Sequence, residues 1–223
     1  MRVDALFATP LVSLKLGDPA PTNRAILAAI AERRRTDAGR RRSNTRGWQS
    51  GDDVFAWTGD AGLRVLDACL SACARVTDDV GMREGRPRFA WEVQGWANVS
   101  PPGAGNDAHA HPGAYWSAVY YVDDGGGAAA LTLEDPRFPL NRMVQPDFRL
   151  KAEGVLDATE VVIRPEPGKL VIFPSWLRHR VPAHEGPRER VSIAMNVLAV
   201  PVPPDALASE GTRPDRTLEE RSP

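Results

Sequence analysis

The chain has 223 residues, enough for one domain or for a domain with an appendage, and its 42% hydrophobic and 26% charged residues are a globular composition. A net charge of −1 excludes a global field that would attract nucleic acid or an anionic membrane. No apolar run is long enough to span a bilayer, and the N-terminus lacks the apolar core of a signal peptide. We therefore expect a cytoplasmic protein with no nucleic-acid or membrane partner.

Two amphipathic helices are predicted in the first third of the chain, at residues 22–35 and 62–80. The second helix has an apolar stripe expected to face the core, made of Leu63, Leu66, Leu70, Cys73 and Val76. Cys69 and Cys73 lie one turn apart and are predicted to be small buried thiols. Seven arginines between residues 33 and 46 are typical of a solvated helix end and loop, because the whole chain is nearly neutral.

From residue 89 the pattern changes to short apolar alternations separated by glycine and proline. Strands are predicted at residues 89–99, 109–111, 116–123, 129–134, 160–164, 169–173, 179–181 and 190–200. Such a run of strands after two helices predicts a mainly β protein, a sandwich or barrel whose flanking helices cover one sheet.

The domain organisation follows from these elements. One domain is expected over residues 1–202, with a helical part at about 20–80 and a β core at about 89–200. The long connection at 136–158 has the length of a functional lid. The polar, proline-rich tail at 203–223 is predicted to be disordered.

Two of the four histidines stand two residues apart in "AHAHPGAYWSAVYYV". In a strand, His109 and His111 would point to the same face, where two imidazoles can share one divalent metal. Alone, such a pair is more often an exposed loop with incidental histidines. Here a third histidine, His179, follows a turn at residues 167–168 and an apolar strand, which strengthens the metal hypothesis.

The last predicted strand has two different faces. Val191, Ile193, Met195 and Val197 form an apolar face, and Arg190 with Ser192 lies on the other. If the apolar face packs on the helices, Arg190 points into the barrel, where a buried guanidinium requires an anionic partner. A carboxylate-bearing ligand would supply it. The alternative is an exposed arginine that pairs with Glu185 or Glu189.

Several segments together resemble a known protein family. They are "LFATPLV", "SNTRGWQS", "WANVSPPGAGNDAHAHPGAYWSAVYYV", "LTLEDPR", "GKLVIFPSWLRHRV" and "ERVSIAMNV". These motifs resemble the 2-oxoglutarate/Fe(II)-dependent oxygenases of bacteria and phages. The resemblance implies a double-stranded β-helix, or jelly roll, with helices packed on one sheet. It also implies Fe(II), with 2-oxoglutarate as cosubstrate, and a reaction with O2 that releases succinate and CO2, hydroxylation being the default outcome.

The resemblance also implies roles for single residues. His109 and His179 match iron ligands, and Arg190, assisted by Ser192, matches the partner of the distal 2-oxoglutarate carboxylate. Tyr121 resembles a strand tyrosine that donates a hydrogen bond to that carboxylate. Asn98 is expected to line the same cavity, on the face that it shares with Trp96 of the preceding strand.

One position departs from the usual pattern, in which two histidines and one carboxylate bind the iron. His111 occupies the place of the acid, and three interpretations compete. His111 is the third ligand, the interpretation that we favour; or Asp107 or Asp135 supplies the carboxylate; or His111 is the first ligand, Gly113 takes the acid's place and the iron has a vacant position.

Substrate contacts are less constrained by the sequence. The candidates are Arg137, Trp116, Trp176 and Trp48, and His184 is expected to be exposed and inert. The substrate is expected to be a small molecule, an amino acid or a peptide. The oligomeric state stays open, a homodimer included.

Three other functions remain alternatives, and the last of them is a nucleic-acid role through the arginine-rich segment at residues 33–46. The first is a cupin-type metalloenzyme without 2-oxoglutarate, favoured by Gly103 ahead of His109 but opposed by Tyr115 and Trp116, which stand where cupins place a glutamate. The second is a non-catalytic β-sandwich that serves as a binding module. Absence of tightly bound metal in the purified protein would support this alternative.

Overall fold

The computed structural model describes residues 7–82, 85–127, 129–137 and 158–203. Within these ranges the helices are α1 Pro19–Arg34, α2 Val54–Trp57 and α3 Gly59–Arg75. The strands before residue 110 are β1 Val12–Lys15, β2 Asn44–Thr45, β3 Trp48–Gln49, β4 Phe89–Ser100 and β5 Gly105–His109. The later strands are β6 Trp116–Asp123, β7 Leu131–Glu134, β8 Glu160–Ile163, β9 Lys169–Pro174, β10 His179–Val181 and β11 Arg190–Pro201.

These strands form two antiparallel sheets. The major sheet has the order β1-β9-β6-β11-β4-β3, and the minor sheet has the order β2-β5-β10-β7-β8. The mainly β jelly roll with flanking helices, predicted from the sequence, is confirmed. The predicted tail, most of the predicted connection at 136–158 and the first six residues lie outside the described residues.

The helices cover the outer face of the major sheet. Val191, Ile193 and Met195 of β11 belong to the same buried cluster as Ile26 of α1 and Val65 of α3. This is the face predicted from the alternation of the last strand, and each such side chain contributes about 1.5–3 kcal/mol when fully buried.

A polar anchor adds to the contact between α1 and β6. Asn23 accepts a hydrogen bond of 2.6 Å from the Tyr120 hydroxyl and donates one of 2.9 Å to the Val122 carbonyl. The opposite face of the major sheet is therefore left to the cavity between the sheets.

The buried face of the second predicted helix agrees with the predicted stripe only in part, since Leu70 and Cys73 pack in the core as predicted. The buried positions of α3 are Gly62, Val65, Cys69 and Cys73, whereas Leu63 and Val76 are 45% and 47% exposed. At Gly62 a Cβ would collide with the side chain of Thr58, which lies one turn earlier at the start of the same helix, so glycine suits this position. The prediction that both cysteines are buried free thiols is confirmed.

The described part of the chain contains no helix with the length and apolarity needed to cross a membrane.

Candidate active site

Two of the histidines face each other across the minor sheet. His109 ends β5 and His179 begins β10, and the two are direct partners in the antiparallel register. Their rings lie 4.4 Å apart between centroids. Because the two strands are hydrogen-bonded neighbours, backbone pairing alone brings these two side chains to one point.

His111 lies in the turn that follows β5, which corrects the prediction of a strand at residues 109–111. Pro112 and Gly113 form the centre of this turn, in which the Ala114 amide donates to the His111 carbonyl at 3.3 Å. Gly113 has a φ of 93°, a conformation that favours glycine at this place in a turn. The His111 amide donates to the Ser175 carbonyl at 2.9 Å, so this turn is attached to the turn before β10.

The three rings form one cluster. One ligand nitrogen each from His109, His111 and His179 can be chosen so that all lie within 4.8 Å of one another. With metal–nitrogen bonds of about 2.1 Å, small rotations of the rings bring such a set onto one ion. Among the residues that the structure describes, this is the single group of three or more histidine, cysteine or acidic side chains close enough to hold a metal.

Backbone carbonyls decide which ring nitrogen is free on two of the histidines. His109 Nδ1 lies 2.6 Å from the Asp107 carbonyl oxygen, and His179 Nδ1 lies 2.9 Å from the Leu177 carbonyl oxygen. A carbonyl only accepts, so each Nδ1 carries the proton and each Nε2 presents a lone pair. This arrangement is typical of metal-binding histidines.

Burial keeps two of the rings neutral. Loss of solvent, together with a smaller effect of the neighbouring histidines, lowers the pKa of His179 to about 3 and that of His111 to about 4. Both rings therefore offer a lone pair at neutral pH. Trp96 contacts His111 with ring centroids 5.8 Å apart, and Phe173 contacts His179 at 4.9 Å, so aromatic walls exclude water from two sides.

The other end of the same cavity holds a buried cation. Arg190 is 3% exposed, and within the part of the chain that the structure describes its Nε has no hydrogen-bond partner and its Nη2 reaches only Ser100 Oγ, at 3.5 Å. Burial lowers the pKa of Arg190 from its ordinary value, which leaves it charged at neutral pH because that value is so high.

Polar side chains of the major sheet surround this guanidinium. Ser192 is the register partner of both Asn98 and Tyr121, so the three side chains form one row beside Arg190. The Tyr121 hydroxyl and Asn98 Oδ1 are buried without a hydrogen-bond partner. A buried guanidinium beside unpaired polar groups has the composition of a carboxylate site, because such groups are costly unless a ligand pairs with them.

Two further polar residues share the strand faces of Tyr121 and Arg190, as the alternation of the sequence predicts, although no role in the site was assigned to them from the sequence. Ser117 and Asn196 are register partners on β6 and β11, and Ser117 Oγ and Asn196 Oδ1 are buried without a partner. Ser117 lines the cavity and is paired in register with Phe173, which contacts His179. Their place in the alternation with Tyr121 and Arg190 was the signal that could have identified them.

The four candidate substrate residues lie in different places. Trp116 is buried in the cluster under the helices, where its Nε1 donates to Thr77, so the structure does not bring it to the cavity. Trp48 lines a separate cavity. Trp176 is 55% exposed in the turn that binds the His111 backbone, next to the cluster. Arg137 makes a two-pronged ion pair with Asp135.

The alternative iron ligands and the fourth histidine are also placed. Asp135 is held by Arg137, Asp107 is exposed, and neither joins the histidine cluster. His184 was expected to be exposed, but it is 1% exposed, with Nε2 2.6 Å from the Arg188 carbonyl oxygen. The expectation failed because a proline- and glycine-bounded turn suggests a surface loop, whereas Gly125 and Gly186 pack directly against this ring.

Comparison with known proteins adds an independent observation. A family described as "Putative 2OG-Fe(II) oxygenase" matches residues 94–196, the segment that contains the histidine cluster and Arg190. No curated protein matches the sequence.

Solved structures share the fold at low sequence identity. A prolyl-4-hydroxylase from Pseudomonas putida is 19% identical with a TM-score of 0.55, over 86% of this chain and 94% of that one. The non-heme α-ketoglutarate-dependent carbocyclase SnoK from nogalamycin biosynthesis is 14% identical with a TM-score of 0.57, over 96% of this chain and 90% of that one. HygX from Streptomyces hygroscopicus, with nickel and 2-oxoglutarate bound, is 14% identical with a TM-score of 0.54, over 85% and 82%.

Proposed function

We propose that this chain, which belongs to the 2OG-Fe(II) oxygenase family through residues 94–196, holds its Fe(II) on His109, His111 and His179. Imidazole nitrogen is a suitable ligand for iron, and at least two of the three rings are neutral at neutral pH. The observation that carries the proposal is the convergence of the three ligand nitrogens within 4.8 Å.

The chain is an Fe(II)- and 2-oxoglutarate-dependent oxygenase, and dioxygen is its other cosubstrate. Bound together, the iron and 2-oxoglutarate supply the oxidising chemistry that releases succinate and CO2 and oxidises the substrate. The residues present fit these groups, since the cavity joins a metal-binding cluster at one end to a buried cation with unpaired donors at the other.

Arg190 is proposed to bind the distal carboxylate of 2-oxoglutarate, because a guanidinium pairs with a carboxylate through two parallel hydrogen bonds. Tyr121 is proposed to donate its hydroxyl proton to the same carboxylate, with Ser192 and Asn98 beside it. The three histidines add no negative charge of their own, so the metal keeps its full positive charge toward this anionic cosubstrate.

The substrate is proposed to be a small molecule or a peptide that enters beside Trp176 and undergoes hydroxylation. The shared fold does not decide between these classes, because one neighbour is named as a prolyl hydroxylase and another as a carbocyclase. The two free buried cysteines support a reducing cytoplasm as the location. Residues 1–202 are proposed to form one oxygenase domain, since α1 and α3 share a core with the major sheet.

The activity is tested by succinate formation from 2-oxoglutarate in the presence of Fe(II) and O2, first without added substrate and then with candidate substrates. We expect turnover that requires added Fe(II) and disappears in His179→Ala. A wild-type protein that is loaded with Fe(II) but neither binds nor consumes 2-oxoglutarate would contradict the assignment of the cosubstrate site.

The ligand set is tested by anaerobic titration with Mn(II) or Fe(II). His111→Ala is expected to weaken metal binding by about 10-fold or more, whereas Asp107→Asn and Asp135→Asn leave it unchanged. His184→Asn is the matched control, because it removes the one histidine outside the cluster. If His111→Ala bound the metal as tightly as the wild type and either aspartate variant bound it more weakly, the third ligand would be that carboxylate and not His111.

A further inference from the structure

A second cavity is lined mainly by the segment that follows α1. It has a volume of about 440 Å³ and shares no lining residue with the histidine cavity. Its wall includes Arg34, Arg40, Arg41 and Arg46, together with Asn44 and Trp48. We call it the arginine cavity. Its volume is in the range of pockets that hold small molecules, roughly 300–1,000 Å³.

The arginines of this segment fall into two groups. Four of them are held by carboxylates: Arg33 by Asp37, Arg34 by Glu189, Arg35 by Glu32 and Arg42 by Asp52. The other three, Arg40, Arg41 and Arg46, form no ion pair with any residue that the structure describes, and all three line the cavity. The segment is therefore neutralised everywhere except around this cavity.

The lining of the arginine cavity contains no acidic residue. Two carboxylates stand on neighbouring segments, but Asp37 accepts from Arg33 and the Gly39 amide, and Glu189 is bound through both oxygens by Arg34. Besides the Gly39 amide, Arg40 contributes to lowering the pKa of Asp37, and its guanidinium lies beside Gly51, as an Asp53 oxygen does, so the positive charge left for a ligand is mainly that of Arg41 and Arg46. Charges of one sign around a cavity repel one another and attract a multiply charged anion.

Arg46 reaches this cavity from a strained backbone conformation. Arg46 sits in the turn between β2 and β3 with a φ of 60°, the left-handed region that disfavours residues with a side chain. Its Nη1 lies near the turn at Gly103, so the side chain spans from β2 to the connection between β4 and β5. The part of the cavity at Arg46 therefore lies between the β2–β3 turn and the connection between β4 and β5.

We propose that the arginine cavity is a binding site for a small phosphorylated molecule. A phosphate group carries up to two negative charges and three acceptor oxygens, which suit several guanidinium groups at once. An extended nucleic acid is disfavoured, because the flanking arginines are already paired and the chain as a whole has a charge of −1. The site uses neither the iron nor 2-oxoglutarate and stands independently of the proposed function.

The test is a calorimetric titration of the full chain with pyrophosphate, and in a second arm with ADP. We expect binding to the wild type that weakens as salt is added, and a loss of about 10-fold or more in Arg41→Glu/Arg46→Glu. Arg35→Glu is the matched control, because Arg35 is exposed at the end of the same helix and pairs with Glu32 outside the cavity. Its affinity should equal that of the wild type.

The two ligands distinguish the source of the phosphate. Equal affinity for pyrophosphate and ADP indicates that phosphate alone is recognised, and tighter binding of ADP identifies a nucleotide. The double variant Arg41→Lys/Arg46→Lys controls for misfolding. It keeps both positive charges, so it should retain part of the affinity for pyrophosphate. Thermal unfolding is measured for every variant.

Three outcomes would overturn the proposal. The first is no binding of pyrophosphate by the wild type at about 1 mM. The second is full binding in Arg41→Glu/Arg46→Glu, which would place the anion elsewhere, for example at the histidine cluster. The third is a single-stranded oligonucleotide that binds more tightly than pyrophosphate and loses affinity equally in Arg35→Glu, which would indicate an extended nucleic-acid surface.

Discussion

At the scale of single residues, the buried guanidinium of Arg190 gives the most direct prediction. Arg190→Met should weaken 2-oxoglutarate binding by about 30-fold or more, because truncating one partner of a buried charge pair costs about 2–5 kcal/mol. Arg190→Lys should recover only part of the affinity, since an ammonium group lacks the planar fork. Calorimetry on Mn(II)-loaded protein measures both.

A neighbouring arginine provides the control for this experiment. Arg188 lies two residues earlier and is bound to Asp123 at the surface, at 2.8 Å. Arg188→Met should therefore leave 2-oxoglutarate affinity within about twofold of the wild type, because exposed ion pairs contribute little. Equal losses in Arg188→Met and Arg190→Met would mean that general positive charge, and not the buried site, attracts the cosubstrate.

The ionisation of Tyr121 permits a prediction on pH. Its side chain lies on the cavity face of β6, whereas that of Tyr120 lies on the helix face. Burial raises the pKa of Tyr121 to about 12, so its hydroxyl stays protonated and remains a donor. Affinity for 2-oxoglutarate should not fall through ionisation of this hydroxyl between about pH 7 and pH 10. Tyr121→Phe should weaken binding by about 10-fold, as expected for a hydrogen bond to a charged group.

Tyr120→Phe is the matched variant for Tyr121→Phe. Tyr120 donates to Asn23 under α1, on the helix side of the sheet. Its loss should lower the free energy of unfolding by about 1 kcal/mol and leave 2-oxoglutarate affinity unchanged. If Tyr120→Phe weakened 2-oxoglutarate binding and Tyr121→Phe did not, the cosubstrate would bind on the helix side of the major sheet and the proposed site would be wrong.

At the scale of elements, the pairing of β5 with β10 positions the histidine cluster and leaves no room for a side chain at Gly105. A Cβ at Gly105 would lie 2.6 Å from the Val181 carbonyl oxygen, so Gly105→Ala must push the two strands apart. The free energy of unfolding should fall by about 1–3 kcal/mol. Metal affinity should fall too, because the partners His109 and His179 sit on these strands.

Gly17→Ala tests whether the effect is specific to the strand pair. A Cβ at Gly17 meets nothing within 4 Å, so unfolding and metal titration should match the wild type. If Gly105→Ala bound metal as tightly as Gly17→Ala, the register of β5 and β10 would not be what positions the ligands.

The elements also separate what the sequence can predict from what it cannot. The strands Trp116–Asp123 and His179–Val181 have the predicted bounds, because apolar alternation and flanking turns define them locally. β2 and β3 escaped prediction because two-residue strands carry no periodic signal and exist only through pairing with β5 and β4. His111 was expected on a strand, but β5 ends at His109, because the turn at Pro112 and Gly113 follows directly.

The metal and cosubstrate candidates followed from spacing and resemblance, but their surroundings did not. That Ser117 and Asn196 lack partners is a property of packing and cannot be read from residue order. The same holds for the arginine cavity: Arg34 is neutralised by Glu189, 155 positions later in the chain, whereas Arg41 has no such partner. Long-range pairing decides which charges remain available for a ligand.

At the scale of the whole molecule, the two proposed ligands would contact residues of both sheets, and this predicts a coupled change in thermal stability. The proposed metal ligands stand on and beside the minor sheet, and Arg190 and Tyr121 stand on the major sheet. A ligand present at 100 times its dissociation constant stabilises the folded state by about 2.7 kcal/mol. For a protein of this size that corresponds to a rise in Tm of about 5–10 °C for each ligand.

Thermal unfolding with Mn(II), and then with Mn(II) and 2-oxoglutarate, measures the two increments separately. Arg190→Met should keep the metal increment and lose the 2-oxoglutarate increment, whereas His179→Ala should lose both. This order is expected because Arg190 and Tyr121, whose buried polar atoms lack partners, are proposed to bind only the distal carboxylate of the cosubstrate, while its other end would bind the metal. A 2-oxoglutarate increment of full size in His179→Ala would show that the cosubstrate binds without the metal and would refute the joint site.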